Sequence, residues 1–557
     1  MNLSAPIHEP ALEQLGENRP ADFEGVLRDD RLARELYSEG AGIARTLPLA
    51  VAVPANVASA GALVRWARSS GYSLMPRGSA SGMAAGAIGP GIAVDLSRMN
   101  SIGEVDVARR RMRVGAGAVR AGVDAAARAV GLRFPVDPSS GAFCTIGGMV
   151  GANAAGARTL RFGATRPWVM GLECVFDDGT AAWVRRDEPP PPHIPAVARL
   201  VQTLEHLRAH VRRDALVHPG VRKESSGYAI DAALAPDGSL IDLLVGSEGT
   251  LAVFTQIELA LIDVAGATGS LLALFDSLEA ATECALLARD LGASACELLD
   301  RTFLDVAASQ GASGVPRGAE AVLLVEMEAN DSAAVADAIS TASRVFRAVG
   351  AREISVGLNS EEQHALWTLR HAASPILSSL APRLRSMQFI EDGCVPAHNL
   401  PAYVRGVRQL LERAEFTGVI FGHAGDAHVH VNPLIDVHRD GWRDRVRGAL
   451  LDACDLTHRL GGTLSGEHGD GRLRAPLLPH VWSDEARAAF ANIKAAGDPA
   501  GVLNAGCKVA TAHDGLSGEL RHDPAARPLS DTARTLLDRI ERERGWNRYR
   551  LGEIPAP

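Results

Sequence analysis

Two tracts made mostly of glycine, alanine and serine constrain the fold of this chain more than any other feature. The first, residues 76–86, reads PRGSASGMAAG, and the second, residues 137–163, reads DPSSGAFCTIGGMVGANAAGARTLRFG. Small side chains let backbone N–H groups approach an anion closely, and a pyrophosphate would fit such a loop. The first tract lacks the G-x-G-x-x-G order of a Rossmann turn and the GK[ST] of a P-loop. Taken alone, it is equally consistent with a plain glycine-rich turn.

The length and composition are those of a large soluble protein. The 557 residues exceed a single hydrophobic core, so we expect roughly two to four domains. No apolar run approaches the ~18–20 residues that span a bilayer. The N-terminus, MNLSAPIHEP, is polar where a signal peptide would have a basic region and an apolar core. We therefore expect a cytoplasmic protein, with peripheral attachment to the inner face of a membrane as the alternative.

The charge and the cysteines argue against two classes of function. A net charge of -9 disfavours nucleic-acid binding, which needs clustered lysine and arginine that acids do not balance. The seven cysteines lie far apart and form no CxxC pair, which argues against a disulfide framework and against a four-cysteine iron–sulfur cluster. Electrons handled by this chain would have to leave by another route.

Hydrophobic periodicity predicts an α+β protein with two main domains. Residues 45–265 combine short buried strands, glycine-rich turns and alanine-rich helices, one of them ended by Gly71. Residues 266–480 repeat a β-then-α order and close with a histidine-rich hairpin, which predicts a ferredoxin-like antiparallel sheet backed by helices. Residues 1–44 form an N-terminal extension, and residues 481–512 return to the first domain. Residues 513–557 form a polar tail with one helix.

The segment GHAGDAHVHVN concentrates three histidines between apolar, strand-like sequences. Strict alternation after the turn places His428, His430 and Asn432 on one face of a strand, and His423 lies on the incoming strand. Zinc and manganese bind imidazole and carboxylate ligands. With Glu467 of SGEHGDG, His423 and His430 would supply them and leave positions open for a substrate. The alternative is a set of hydrogen-bonded buried imidazoles, and for His428 a surface or outer position.

Glu467 is followed directly by His468, and a glycine stands on each side of the pair. In an extended segment adjacent side chains point to opposite sides, so one can bind a metal ion while the other acts as a base. We therefore predict Glu467 as a ligand and His468 as the general base.

The two small-residue tracts and a later VGSEGTLAVFTQIEL resemble the FAD-binding domain of the vanillyl-alcohol oxidase and p-cresol methylhydroxylase superfamily. The pieces P-S-S, IGGM, N-A-A-G and GSEGTL occur in the order of that family. The resemblance implies a two-subdomain FAD-binding domain. The residues that it places at the cofactor are Pro76, Arg77, Gly78, Ser79, Ala80, Ser81, Gly82, Pro138, Thr145, Gly147, Gly148, Asn153, Glu248 and Asn504. Some relatives attach the flavin to a histidine of the first loop; because no histidine occurs between His8 and His193, we expect non-covalent FAD.

The histidine hairpin and the later EHG resemble the D-2-hydroxyacid dehydrogenase branch of that superfamily, which includes D-lactate, glycolate and D-2-hydroxyglutarate dehydrogenases. The match covers about residues 45–510. The pattern of the branch, roughly G-H-x-G-D-G-N-x-H-x-N, differs here at Ala427 and His428. His428 is therefore placed to compete for the metal.

The resemblance also implies substrate residues and a mechanism. The polar residues predicted at the substrate are Arg370, Ser374, Arg385 and Asn432, since an arginine is the natural bidentate clamp for a carboxylate. A solvated arginine is the alternative, above all for Arg385. The metal would bind the C2 hydroxyl and the carboxylate, His468 would accept the hydroxyl proton, and the C2 hydride would pass to flavin N5.

Two other functions use some of the same residues. A metal-dependent hydrolase would use the histidines and the glutamate but leaves the two small-residue tracts unexplained. A flavin-containing electron-transfer subunit without a substrate site leaves the histidines and arginines unexplained. The partners that we expect are a small hydroxyacid and a separate electron acceptor, namely an iron–sulfur protein, an electron-transfer flavoprotein, a quinone or a cytochrome. A second copy of the chain, in a homodimer, is a further alternative, and nucleic acid is not expected as a partner.

Overall fold

The computed structural model describes residues 19–309, 315–371, 383–511 and 518–554. Three main sheets organise this part of the chain: one of four strands, one of five and one of eight. Helices flank them, which confirms the predicted α+β class. No helix within the described ranges is long and apolar enough to cross a bilayer.

The first sheet carries the first small-residue tract at the end of its last strand. In spatial order its strands are Gly25–Arg28, Ala50–Pro54, Ile92–Asp95 and Leu74–Arg77. The last three run parallel, and their burial explains the uninterrupted apolar runs AVAVPA and GIAVDLS. The helix Val57–Ser70 begins after Asn56, whose side chain accepts a backbone N–H, and ends at the left-handed Gly71, as predicted.

The second sheet is antiparallel and supports the second tract. In spatial order its strands are Ala181–Arg185, Val169–Val175, Val253–Ala260, Arg111–Gly115 and Ile102–Asp106. The first two strands form a hairpin about an Asp-Gly turn, in which Gly179 has φ of 77°. The helix Ile146–Ala152 of the second tract packs on this sheet.

The third sheet, here the cap sheet, is antiparallel and carries the histidine-rich hairpin. In spatial order its strands are Ala351–Gly357, Ala267–Phe275, Ala321–Ala329, Ala295–Asp300, Thr417–His423, His428–Asp436 and Leu384–Ser386. The short strand Gly393–Cys394 also pairs with the second hairpin strand. The predicted β-then-α order is present. The strand Ala295–Asp300 is an addition that the sequence does not predict, because both of its faces are buried and it shows no alternation.

Some of the helices pack on these sheets, and others pack on neighbouring helices. The longer ones are Val57–Ser70, Arg120–Arg128, Pro195–His210, Leu278–Asp290, Arg301–Ser309, Ser332–Val349, Ser360–His371, Leu400–Arg413, Trp442–Arg459, Asp484–Gly497 and Asp531–Arg542. The shorter ones are Arg31–Leu36, Ile146–Ala152, Thr159–Phe162, Ile230–Ala233, Leu240–Leu244 and Gly471–Arg474. The helix Arg120–Arg128 is followed by a turn over residues 129–131.

The chain returns to the first sheet after the cap. The N–H of Leu74 donates to the carbonyl of Val502 at 2.7 Å, and the N–H of Asn504 donates to the carbonyl of Leu74 at 2.8 Å. Further along, Glu519–Leu520 pairs with Ala44–Arg45. The polar tail is therefore packed on the N-terminal part of the chain.

Candidate active site

A cavity of about 250 Å³ lies between the two small-residue tracts. Its wall includes most of the predicted cofactor residues: Pro76, Arg77, Gly78, Ser79, Ala80, Ser81, Gly82, Pro138, Thr145, Gly147, Gly148 and Glu248. Glu467 and His468, from the loop that follows the cap sheet, belong to the same wall. The two tracts and the predicted ligand–base pair thus face one cavity, although they lie far apart in the sequence.

The two tracts touch each other at Gly78. A Cβ at this position would lie 2.0 Å from Thr145 Oγ1, so the approach requires glycine. Thr145 also caps the helix Ile146–Ala152, because its hydroxyl accepts the N–H of Gly148 at 3.3 Å. This contact holds the two loops in a fixed relation on either side of the cavity.

Three predicted cofactor residues have structural contacts for their side chains. The Arg77 guanidinium donates to the carbonyls of Tyr37 and Glu39, at 2.9 and 3.0 Å. Asn153 ends a helix in the left-handed conformation, and Asn504 donates to the backbone of the first tract. Neither asparagine lies on the cavity wall. Each supports a turn through its side chain, and its contact with the cofactor stays a prediction.

Glu248 connects the cavity wall to the loop of Glu467. Its carboxylate accepts the N–H groups of Asp470 and Gly471, at 2.7 and 2.8 Å. Lys508, which is buried, lies 3.0 Å from the same carboxylate. One buried side chain thus ties the cofactor tracts to the segment that carries the predicted ligand and base.

His423, His430 and Glu467 converge on one point beside the cavity. Glu467 Oε1 lies 3.3 Å from Nε2 of each histidine, and all three residues are buried. Neighbouring ligands of a tetrahedral or octahedral ion with bonds of ~2.1 Å lie about 3.0–3.4 Å apart. The Glu467 oxygen therefore lies at the spacing from each imidazole nitrogen that neighbouring metal ligands have.

Each of these histidines has its second ring nitrogen fixed by an acceptor. His423 Nδ1 donates to Glu297 Oε1 at 2.5 Å, and His430 Nδ1 donates to the Glu391 carbonyl at 2.8 Å. An N–H on Nδ1 leaves Nε2 as the nitrogen that can bind a metal. Burial opposes protonation of His423, but the Glu297 carboxylate outweighs it and raises the pKa to about 9. Burial lowers the pKa of His430.

Glu297 links Arg370 to the histidine cluster. Its Oε2 accepts the Arg370 Nε–H at 2.6 Å, and the Arg370 guanidinium lies 5.0 Å from the centre of the Phe421 ring. Burial opposes ionisation of Glu297, but the charges of His423 and Arg370 lower its pKa. Arg370, predicted as a clamp for a substrate carboxylate, thus binds a carboxylate of the protein.

The other predicted substrate residues differ in where they lie relative to the histidine cluster. Asn432 is buried on the same strand face as His430. Arg385 pairs with Ile435 across neighbouring strands, and paired side chains share a face, so Arg385 lies on the face opposite to His430. The strand register thus turns Arg385 away from the cluster. Ser374 lies outside the described residues.

Glu467 and His468 do not point apart as an extended segment would require. The segment bends, and His468 Nε2 lies 3.7 Å from Glu467 Oε1. His468 Nδ1 donates to Glu391 Oε1 at 3.1 Å. Burial opposes protonation of His468, but Asp392 and Glu391 outweigh it and raise the pKa to about 9. His468 therefore adjoins both the cavity and the histidine cluster.

Asp392 organises the loop of Glu467 and His468. It accepts the backbone N–H of His468 at 2.9 Å and that of Glu467 at 3.3 Å. It also accepts His428 Nε2 at 2.9 Å and pairs with Arg474 at 3.2 Å. His428 is completely buried, so the surface position considered for it is wrong.

Sequence reasoning missed the buried charges around the predicted ligands. These are Lys223, Glu297, Glu391, Asp392 and Arg474. An acid within an apolar, strand-like segment, as in ACELLD and QFIEDGC, is the signal that could have identified the three carboxylates. Lys223, in VRKESSGY, has no comparable signal.

The residues present fit the two groups predicted at this site. Two imidazole nitrogens and a carboxylate oxygen form a donor set suited to zinc, and a further buried nitrogen, His428 Nδ1, has no hydrogen-bond partner within the described chain. The two tracts line their cavity with backbone and small side chains, which suits close approach of a pyrophosphate.

The chain matches two known families and several known proteins. Residues 48–185 match the family described as FAD binding domain, and residues 267–507 match the family described as FAD linked oxidases, C-terminal domain. A glycolate oxidase subunit, GlcD of Bacillus subtilis, is 28% identical over 483 residues, which cover 86% of this chain and 93% of the relative.

Two further relatives have similar coverage. D-lactate dehydrogenase of Archaeoglobus fulgidus is 28% identical, over 82% of this chain and 90% of the relative. D-2-hydroxyglutarate dehydrogenase of Xanthomonas citri pv. viticola is 28% identical, over 84% and 90%.

The fold also has solved counterparts. The structure of 4-ethylphenol oxidase from Gulosibacter chungangensis superimposes with a TM-score of 0.65 at 13% identity, over 90% of this chain and 96% of that one. Together the two family matches cover most of the described chain. The chain therefore belongs to the FAD-linked oxidases and is an FAD-dependent oxidoreductase with an FAD-binding domain of the p-cresol methylhydroxylase type.

Proposed function

We propose that this flavoprotein is a dehydrogenase that oxidises a D-2-hydroxyacid to the 2-oxoacid. The observation that carries the proposal is the shared cavity wall, which includes both small-residue tracts as well as Glu467 and His468. The relatives named for glycolate, D-lactate and D-2-hydroxyglutarate support a small 2-hydroxyacid as the substrate class.

The two tracts would hold the cofactor. FAD, when bound, supplies the acceptor for the hydride removed from C2, which carries both electrons of the oxidation. Backbone N–H groups of residues 79–82 and 147–148 would approach its pyrophosphate, because small residues stand at both places. The binding that we propose is non-covalent, since neither tract contains a histidine.

His423, His430 and Glu467 would hold a divalent metal, zinc or manganese. When bound, the metal supplies a Lewis acid that lowers the pKa of the substrate hydroxyl. The residues behind the ligands prepare the site, because Glu297 and the Glu391 carbonyl fix the Nδ1 protons of the two histidines. Such outer contacts orient the rings and keep Nε2 available.

In its neutral form, His468 is placed to take the hydroxyl proton on Nε2. A divalent cation at the neighbouring site would favour that form, because it opposes protonation of the ring. The Nδ1 of His468 is committed to Glu391, so Nε2 is the nitrogen left to accept a proton beside the cavity. Arg474 forms an ion pair with Glu391 and so holds that carboxylate in place. The negative charge of Glu391 favours the imidazolium that forms.

The Arg370 guanidinium would attract the substrate carboxylate from beside Phe421. One of its N–H groups binds Glu297, which fixes the orientation of the guanidinium plane. Asn432, on the face of His430, and Ser374 complete the polar residues that we propose around the substrate.

The electron acceptor that we propose is a separate molecule: an iron–sulfur protein, an electron-transfer flavoprotein, a quinone or a cytochrome. The seven cysteines are all unpaired and buried, and no two form a CxxC motif. This distribution favours an acceptor outside the chain.

The experiment that tests the function is anaerobic reduction of the purified yellow protein. D-lactate, glycolate, D-2-hydroxyglutarate and longer hydroxyacids are added without air, and bleaching of the flavin is recorded with and without a metal chelator. We expect one D-2-hydroxyacid to bleach the flavin rapidly, more slowly after chelation, and its L-enantiomer to have little effect. A protein that no hydroxyacid reduces would disprove the proposed function.

A further inference from the structure

We infer that His428 is a fourth protein ligand of the metal centre and binds through Nδ1 beside His423, His430 and Glu467. The inference rests on the proposed function for the presence of the metal. It changes the centre from two imidazoles and one carboxylate to three imidazoles and one carboxylate.

The hydrogen bonds of His428 leave one ring nitrogen unused. Nε2 lies 2.9 Å from Asp392 Oδ1. Asp392 also accepts two backbone N–H groups and pairs with Arg474, so it acts as a carboxylate acceptor and His428 must donate. A neutral imidazole that donates from Nε2 carries a lone pair on Nδ1. Within the described ranges, this Nδ1 is buried and has no hydrogen-bond partner.

A buried acceptor without a donor is rare, and its surroundings indicate what it binds. The ligand atoms that His423, His428, His430 and Glu467 can offer all lie within 4.8 Å of one another. The ring centre of His428 is 5.4 Å from that of His423 and 4.7 Å from that of His430. The unpartnered nitrogen therefore belongs to the residue that completes the cluster, and a cation would satisfy it.

The hairpin geometry explains why a third imidazole faces the cluster. Ala427 is left-handed, with φ of 55°, and the strand His428–Asp436 begins immediately after it. Because strand side chains alternate, His428 and His430 project from the same face. The start of the strand thus directs two histidines towards the carboxylate of Glu467.

The additional imidazole has a consequence for metal choice. Manganese prefers oxygen ligands, whereas imidazole suits zinc and other late divalent metals. A centre of three imidazoles and one carboxylate should therefore prefer zinc over manganese more strongly than a centre with two imidazoles.

The test compares zinc binding by the full flavin-containing protein, His428→Asn and His430→Asn. Zinc affinity is measured by competition with a chromophoric chelator. The preference for zinc over manganese is measured by direct competition, and the number of bound imidazoles is measured by X-ray absorption at zinc.

Asparagine at position 428 can still donate to Asp392 but has no ring nitrogen. We expect His428→Asn to weaken zinc binding by more than the roughly 10- to 100-fold that the loss of an outer contact causes, and to lower the preference for zinc. The absorption spectrum should show three imidazoles in the unaltered protein and two in His428→Asn.

The His430→Asn variant is the reference, because it removes a ligand of the proposed function whether or not His428 binds. Unaltered affinity in His428→Asn, with a loss in His430→Asn, overturns the inference and leaves the proposed centre intact. Unaltered affinity in His430→Asn overturns both. If His428→Asn does not fold, the unaltered protein decides, since a spectrum with two imidazoles contradicts the inference.

Discussion

Lys223 Nζ lies 2.6 Å from Glu467 Oε2, and the two side chains are only 2% and 8% exposed. The ammonium neutralises a carboxylate whose other oxygen faces the histidine cluster. Removing one partner of a buried ion pair costs about 3–5 kcal/mol. Lys223→Met should therefore lower the melting temperature of the metal-free protein, and zinc should restore most of the loss by bringing positive charge to the same carboxylate.

Differential scanning calorimetry with and without zinc measures this effect. Lys494→Met is the matched control, because Lys494 is also mostly buried but pairs with Asp498, outside the loop of the proposed metal ligands. Zinc should not restore its stability. An equal loss for Lys223→Met in both metal states would contradict the prediction.

Glu297→Gln should weaken zinc binding by roughly 10- to 100-fold, the usual effect of removing an outer partner of a metal-binding histidine. Glutamine keeps the shape of the side chain but removes the charge that fixes the His423 Nδ1 proton. Chelator competition gives the affinity. The control is Glu279→Gln, at an exposed ion pair with Arg405, and it should bind zinc normally. Normal binding by Glu297→Gln would limit Glu297 to a packing role.

His468→Gln should retain flavin and metal but reduce the flavin about 10²-fold more slowly, which is the lower range expected for a positioned general base. Anaerobic stopped-flow absorbance measures the rate, and elemental analysis measures the metal. Substrate affinity should change much less, because the ligands and Arg370 are unaltered. Loss of metal in this variant would show that His468 is a ligand rather than the base.

Gly78→Ala should destabilise the protein by about 1–3 kcal/mol and lower its flavin content, because the added Cβ would lie 2.0 Å from Thr145 Oγ1. Gly82→Ala, in the same tract, is the control, since a Cβ there meets nothing within 4 Å. Thermal unfolding of flavin-free protein separates the two variants. Similar melting temperatures would mean that the two loops can move apart without cost.

His218 should make stability depend on pH. Its Nδ1 lies 2.7 Å from Glu224, and Nε2 lies 3.0 Å from the carbonyl of Val481, so two acceptors surround the ring. Burial opposes protonation, but these acceptors outweigh it and raise the pKa above 6.5. Because the pKa of His218 is higher in the folded state than in the unfolded state, its protonation stabilises the fold. This contribution is complete at a pH below the unfolded-state pKa, and it is lost as the pH rises through the folded-state pKa.

His218→Gln should accordingly lose more stability near pH 5.5 than near pH 9, measured as the difference in melting temperature from the unaltered protein. An equal loss at both pH values would instead indicate packing against Trp482, whose ring centre is 4.1 Å away.

Features with a local signal could be predicted from the sequence. The helix Val57–Ser70 has an asparagine cap and a glycine stop, and the structure has both. His423, His430 and Glu467 could be predicted to meet, because imidazole and carboxylate groups both bind metal ions and the spacing of the two histidines suits a hairpin. In contrast, the strand Ala295–Asp300 has neither alternation nor turn residues that separate it from a buried helix.

Orientation and long-range pairing could not be predicted. The face on which Arg385 lies depends on the register of its strand with the strand of Ile435, and a shift of one residue would reverse it. Lys223 reaches Glu467 from a distant segment, so no local pattern contains the pair. Glu467 and His468 do not point apart as predicted, because their segment is bent. The backbone N–H groups of both residues donate to the Asp392 carboxylate.

The hydrogen bonds from Asp470 and Gly471 to Glu248 connect two sites: the wall of the flavin cavity, and the loop of Glu467 at the proposed metal site. Any ligand that orders the first would therefore also order the second, and thermodynamic reciprocity requires each to raise the affinity of the other by the same factor. Assembly of the holoenzyme would then be cooperative. Molecules carrying only one of the two ligands would be a minor population, so flavin and metal contents would rise and fall together from one preparation to the next.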